Sequence, residues 1–206
     1  MTDSDRIGAE RRRALAAATV AEFARVGYED ASLNRIIREA GMSKSSFYHF
    51  VGSKAELFDT VVRMLIADVT AHWSAPAPAS FSEDFWGRVD AVLDEFARQS
   101  QVPALQHLGR IFYLPGQPAG SSARDELLAA VRTWVEEVLR VGRSTGAARD
   151  DLPLDLQADV VFAVLRAVDE WALSDGGVTA ERAEVAASAP GVLLRRLLAV
   201  EIPDER

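Results

Sequence analysis

The stretch from Ala40 to Lys54, A-G-M-S-K-S-S-F-Y-H-F-V-G-S-K, constrains the fold of this chain more than any other. Gly41 is placed to end a helix, because the sharp turn beyond a helix C-terminus wants a left-handed backbone that glycine adopts cheaply. Met42 alone separates it from Ser43, a residue type that caps helix N-termini by accepting an orphan backbone N–H. The next helix is therefore short, Lys44 to Phe50, and Ser53 caps a third. Met42 can plug the turn, while Phe47 and Phe50, three residues apart, can face inward.

Upstream, Ser32 is the cap of a preceding helix on which Leu33, Ile36, Ile37 and Ala40 recur at helical spacing. Two helices joined through Gly41 make a helix-turn-helix unit. The short second helix leaves Lys44, Ser45, Ser46, Tyr48 and His49 facing outward. A cation, two small hydroxyls, a phenol and an imidazole on one exposed face suit contacts to phosphates and base edges. A helix in this place enters the major groove by its N-terminal residues. Lys54 stands in the first turn of the third helix, where the dipole disfavours a cation. Sharing a phosphate with the free N–H groups there would account for it. A bare helix-turn-helix also occurs in proteins that never touch DNA, so the longer pattern carries the weight.

From Ala14 to Phe58 the chain resembles the DNA-binding domain of the TetR family of transcriptional regulators. The resemblance rests on Gly27–Tyr28 at the end of helix one, Ser32 opening helix two, the run Ala40 to Phe50, and Ser53, Lys54 and Leu57. Further on, only G-x-x-x-D-D-L-P-x-D-L from Gly146 to Leu156 matches. The resemblance implies that Ser43, Ser46, Tyr48 and Lys54 hold phosphates and that Asn34, Lys44 and Ser45 approach base edges. Ser32 joins this DNA-binding set, as does His49, whose position varies between members. Ser45 departs from the Gly that many relatives carry, and Ile37 from a commoner Ala.

Charge divides in the same way. The net charge is -8, yet Arg6 to Lys54 holds nine basic against five acidic residues, and the chain from Ala55 onward fourteen against twenty-four. A basic head on an acidic body fits salt-dependent docking through one end. Arg11, Arg12 and Arg13 read either as a solvated helix start or as an arm lying along phosphates or a minor groove. The absence of cysteine excludes disulfides and thiolate metal sites, and fits the cytoplasm. No run is long and apolar enough to span a bilayer.

The fold expected is all-α: a three-helix head over residues 1–54, continuing into a fourth helix, and a larger helical body over 55–206. Helices are expected near Ser53–Trp73, Ser82–Ser100, Ala104–Tyr113, Ala123–Gly142, Leu154–Ser174 and Ala180–Ala199. Breaks fall at Ala75–Ser80 and Leu114–Ser122, and Pro190 should kink or divide the last helix. The helix from Leu154 is apolar nearly all round, which implies burial on every side. One face would pack inside the subunit while the other meets a second copy. With Val192, Leu193, Leu194, Leu197 and Leu198 on the last helix, a twofold homodimer through the last two helices is expected.

Large aromatics in the body read either as core or as the wall of a small-molecule pocket. The candidate lining residues are Phe96, His107, Phe112, Trp134, Phe162 and Arg166, apolar surface with a few polar anchors. They would suit a modest apolar or aromatic effector. His107 reads as a satisfied helix histidine, and no metal or cofactor is assigned. No P-loop, dinucleotide fingerprint, G-x-S-x-G or H-E-x-x-H occurs, so no catalytic residue is assigned and an enzyme is not expected. The reading is a DNA-binding regulator, repressing from a palindromic operator until an effector releases it. The alternative is a helix-turn-helix protein controlled by a protein partner, without a small ligand.

Overall fold

The computed structural model describes residues 3–99, 103–112, 122–173 and 180–200. Among them are nine α-helices: α1 Asp3–Val26, α2 Leu33–Glu39, α3 Lys44–Phe50, α4 Lys54–Thr70, α5 Phe85–Gln99, α6 Pro103–Phe112, α7 Ser122–Ser144, α8 Leu154–Leu173 and α9 Ala180–Leu198. No strand occurs among these residues, only an isolated antiparallel bridge between Ala148 and Ala199. The architecture is all-α, with a helix-turn-helix at the N-terminus.

The chain forms two compact units, one of Met1–Ser74 with Ser100–Leu128, the other of Ala75–Gln99 with Ala129–Arg206. In the first, α1 packs on α2, α4 and α6, and α4 also packs on α6. Phe23, Ile36, Phe47, Val51, Leu57, Phe58, Val61 and Val62 are wholly buried in its core. Phe23, Tyr28 and Phe58 form an aromatic triangle with centroid separations of 5.5, 6.0 and 5.9 Å. That spacing lies in the favoured range for tilted and edge-on rings. Phe47 faces inward as expected and Met42 packs on the same core. The side chain of Phe50 lies outside the described residues, and the second inward anchor at the end of α3 is Val51.

In the second unit α9 packs on α8 and α5. Val135, Leu139, Ala158, Val161, Leu194 and Leu198 make one core cluster; Phe81, Phe85, Val92, Val138 and Ala148 make another. The corner between α7 and α8 is closed by polar groups. The buried Gln157 accepts from Arg143 Nε at 2.8 Å and donates to the Arg149 carbonyl at 2.8 Å. The Arg149 N–H in turn donates to Leu198 O at 2.8 Å, tying the end of α9 to this corner.

Several boundaries differ from expectation for local reasons. The break after α4 contains a 3-10 turn, Pro78–Phe81, held by the buried ring of Phe81. Helix α5 starts at Phe85 because Asp84 caps it, its Oδ1 accepting the Gly87 N–H at 3.0 Å. Pro190 does not divide α9, which runs unbroken past a proline that is itself buried. Its missing N–H costs one helical bond, and the packing of Leu194 and Leu198 beyond it holds the helix together. Arg11, Arg12 and Arg13 lie exposed within α1. The loop expected at Leu114–Ser122 lies outside the described residues up to 121, and Ser122 opens α7.

Gly41 has φ +63°, as the turn requires, with open space where a Cβ would stand. Gly109, inside α6, also has open space there but no positive φ. The same substitution should therefore act in opposite directions. Gly41→Ala is expected to lower stability by about 1 kcal/mol through backbone strain. Gly109→Ala is expected to raise it by roughly 0.5–1 kcal/mol through helix propensity. Urea unfolding midpoints of the two variants check both signs.

Candidate nucleic-acid interface

Three serine caps set the interface. Ser32 Oγ accepts from Arg35 N at 3.4 Å, Ser43 Oγ from Ser46 N at 3.1 Å, and Ser53 Oγ from Glu56 N at 3.1 Å. All three serines have extended backbone at the cap. Glu56 reaches back to the Gly52 N–H at 2.8 Å, giving α4 a second capping bond beside that of Ser53. Helices α2, α3 and α4 are thus each started by a serine side chain.

The consequence is an outward face on α3. Ser43, Lys44, Ser45, Ser46, Tyr48 and His49 are all exposed, as are Ser32 and Asn34 on the α2 side. Tyr48 is 55% exposed although its ring stands edge-on to the buried Phe47 at 5.3 Å. Phe47 therefore orients the phenol while leaving its hydroxyl outside. The hydroxyls of Ser43 and Ser46 are joined at 2.9 Å. Their remaining lone pairs and the flanking cation of Lys44 lie on this exposed face.

Lys54 is placed differently from its neighbours. Its ammonium donates to the carbonyls of Tyr28, Glu29 and Ala31 at 3.0, 2.6 and 3.3 Å. It also stands 5.2 Å from the Tyr28 ring centroid. An ammonium has three N–H donors, and here each has a carbonyl. Lys54 thus clamps the turn between α1 and α2, and a phosphate would have to displace one of those carbonyls.

The other side of that turn is held by a residue sequence reasoning missed. Glu22, on α1, has a side chain only 3% exposed. Its carboxylate accepts the Ser32 N–H at 3.0 Å and the Arg25 guanidinium at 3.1 and 2.8 Å, with Arg35 Nε at 3.6 Å. Burial would raise the carboxyl pKa, but the Ser32 N–H, Arg25 and Arg35 outweigh it and hold it below the ordinary 4.5. The signal was available: Glu22 shares helical spacing with the buried Thr19 and Phe23, and a charge on an apolar stripe needs a partner.

Residues 15–61 match the family described as bacterial regulatory proteins, tetR family. These residues therefore carry the DNA-binding module of that family, and the proteins the whole chain is similar to are DNA-binding transcriptional regulators. The chain is similar to the HTH-type transcriptional repressor SCO4008 of Streptomyces coelicolor, 29% identical over 158 residues, 76% of this chain and 74% of that protein. In fold it is similar to SmeT, the repressor of the Stenotrophomonas maltophilia multidrug efflux pump SmeDEF, with TM-score 0.66 and 15% identity. That match covers 92% of this chain and 91% of SmeT. The ketosteroid transcriptional regulator KstR2 of Mycobacterium tuberculosis matches with TM-score 0.63 and 22% identity, over 93% of this chain and 96% of that one.

Of the six candidate effector-pocket residues, two lie in the first unit and four in the second. His107 and Phe112 belong to the first unit, and the Phe112 side chain lies outside the described residues. In the second unit, Trp134 and Phe162 pack on one core cluster. Trp134 Nε1 donates to the Pro76 carbonyl at 2.8 Å, and its ring meets Phe81 edge-on. Phe96 is 40% exposed, and Arg166 pairs with Glu170 at 2.7 Å on the surface. A groove of about 350 Å³ between α5 and α9 is lined by residues including Asp90, Leu93, Gly191, Val192 and Arg195, and by none of those six.

Because folding lowers the Glu22 pKa, its contribution is complete above the ordinary glutamate value and is lost as pH falls through the lowered folded value. Glu22→Gln is therefore expected to lose roughly 1–3 kcal/mol at neutral pH. The gap to the natural protein should close progressively below pH 4.5. Urea titrations across that range would show it; a gap independent of pH would contradict a charged Glu22.

Proposed function

We propose that the chain is a repressor that binds a roughly palindromic operator as a homodimer and is released by a small apolar or aromatic effector. Residues 1–54 read DNA, and residues 55–206 bind the effector and dimerise. The observation that carries the DNA-reading part is the exposed face of α3, with Lys44, Ser45, Ser46 and Tyr48 standing out from a helix pinned by Phe47. Tyr48 and the Ser43–Ser46 pair are assigned to phosphates. Lys44 and Ser45, with Asn34 from α2, are assigned to base edges, and Ser32 and His49 complete the interface. Lys54 acts here mainly by holding the turn that precedes α2. Repression accords with the similarity to SCO4008, a transcriptional repressor.

The dimer reading rests on α8. Leu156, Val160, Ala163, Ala167 and Trp171 recur at helical spacing on one face, opposite the buried Ala158, Val161, Val168 and Ala172. Leu156 and Trp171 are 45% and 42% exposed, and Val192, Leu193 and Leu197 stand out from α9. A helix apolar on both faces is solvated on one side only while it is alone. The two alanines at the centre of the stripe allow a second helix to approach closely. Two heads related by a twofold axis would read half-sites about one DNA turn, ~34 Å, apart or a multiple of it. Effector release then needs a difference in affinity between two states of only ~1–3 kcal/mol.

Selection of random duplexes by the purified protein across a salt series tests the reading. An enriched palindrome is expected, with a steep loss of affinity as salt rises; absence of any enriched sequence would overturn it. Against that operator, Tyr48→Ala should weaken binding to all sequences and flatten the salt dependence. Lys44→Ala should instead relax preference at particular base pairs, by roughly 1–3 kcal/mol. A uniform loss would make Lys44 another phosphate contact.

Ala163→Glu places a charge at the centre of the exposed α8 stripe without disturbing the core of the subunit. Light scattering is expected to give a dimer for the natural protein at micromolar concentration and a folded monomer for this variant. A natural protein that is strictly monomeric would reject the twofold arrangement.

A further inference from the structure

The cluster around Glu22 joins groups from both sides of the first turn of the head. Arg25 lies in the last turn of α1 and Arg35 in the first turn of α2. Their guanidinium-bearing side chains are 48% and 47% exposed, while the carboxylate they share is 3% exposed. The same carboxylate holds the backbone N–H of Ser32, the residue that caps α2. Two cations, half out of the surface, are thus held from behind by one buried anion, which also fixes where α2 begins.

Charge and position have different effects on DNA binding. A mobile surface guanidinium meets whichever phosphate is within reach, and so adds affinity for any sequence. A guanidinium held on a buried carboxylate keeps part of its field but meets phosphates from one position only. Phosphate contacts set register, and register decides which base edges α3 can reach. A carboxylate in this place therefore lowers general attraction and sharpens alignment together.

We propose that Glu22 is a positioning residue that determines specificity: it holds Arg25 and Arg35 in one register beside Ser32 and restrains their attraction for arbitrary DNA. This rests on the DNA-reading function of the head proposed above. Arg25 and Arg35 become backbone contacts of the interface, in addition to the residues on α3. Glu22 itself touches no DNA.

The test compares the full chain and its Glu22→Gln variant on the selected operator and on a scrambled duplex of equal length, across a salt series. Glutamine keeps an oxygen for the Ser32 N–H and removes the charge. The variant is expected to bind the scrambled duplex several-fold more tightly, with a salt slope steeper by about 0.9, the equivalent of one added phosphate contact. Its preference for the operator over the scrambled duplex should fall by about tenfold. A purely structural role would scale both affinities by the folded fraction and leave that preference unchanged, which would overturn the proposal.

Should Glu22→Gln fail to fold, the double variant Arg25→Gln, Arg35→Gln still decides the matter. It is expected to weaken binding to both duplexes and to lower the salt slope; an unchanged slope places the two arginines away from DNA and overturns the proposal. If the natural protein itself shows no operator preference, the DNA reading fails and the role of Glu22 with it. If the natural protein discriminates and Glu22→Gln discriminates equally, only the role of Glu22 fails.

Discussion

The head of this protein depends on how the short turn between α1 and α2 is held. Its carbonyls, at Tyr28, Glu29 and Ala31, converge on the Lys54 ammonium. Its last N–H, at Ser32, goes to the Glu22 carboxylate. A turn has backbone groups without helical partners, and here a cation and an anion from two different helices take them. Three hydrogen bonds to a charged donor and one to a charged acceptor are individually stronger than neutral ones. Since Lys54 begins α4 and Glu22 lies on α1, the same bonds set the places of α1, α2 and α4. The orientation of α3 follows, because only Met42 and the Ser43 cap separate it from the end of α2 at Gly41.

That arrangement explains a cation at the start of a helix, where the dipole opposes it. The sequence alone offers a phosphate as the natural partner. The folded chain supplies three carbonyl oxygens instead, which satisfy the ammonium before any DNA arrives. With its three N–H groups taken by carbonyls, the ammonium orders this turn from within the chain. Preorganisation of this kind reduces the ordering cost of binding.

What the sequence revealed and what it hid separate along the range of the interactions. The caps at Ser32, Ser43 and Ser53, the turn at Gly41 and the inward Phe47 all follow from residues within a few positions of one another. The clamp by Lys54 reaches back more than twenty residues, and the Glu22 bond spans ten. Neither partner can be named from local pattern, although a glutamate on an apolar stripe announces that one exists. Pro190 shows the same limit: a local rule predicted a kink or a division, and α9 runs undivided past it, with Leu194 and Leu198 packed in the core beyond. The aromatics were least legible, since core and pocket ask for the same residue types. Trp134 shows the difficulty, with its ring on a core cluster and its N–H spent on the Pro76 carbonyl.

In the second unit register is the controlling constraint. The buried Gln157 fixes the α7–α8 corner through Arg143 and Arg149, and the Arg149 N–H donates to the Leu198 carbonyl at the end of α9. A buried amide with both ends satisfied gives directional constraint that apolar contacts lack. It sets where α8 starts and where α9 ends, one relative to the other. The apolar residues these helices leave outside, Leu156 and Trp171 on α8 with Leu193 and Leu197 on α9, are therefore presented in a fixed pattern. Loss of the Gln157 bonds would leave the apolar area unchanged and blur its geometry, so shape, more than area, is what this corner contributes to any pairing of subunits.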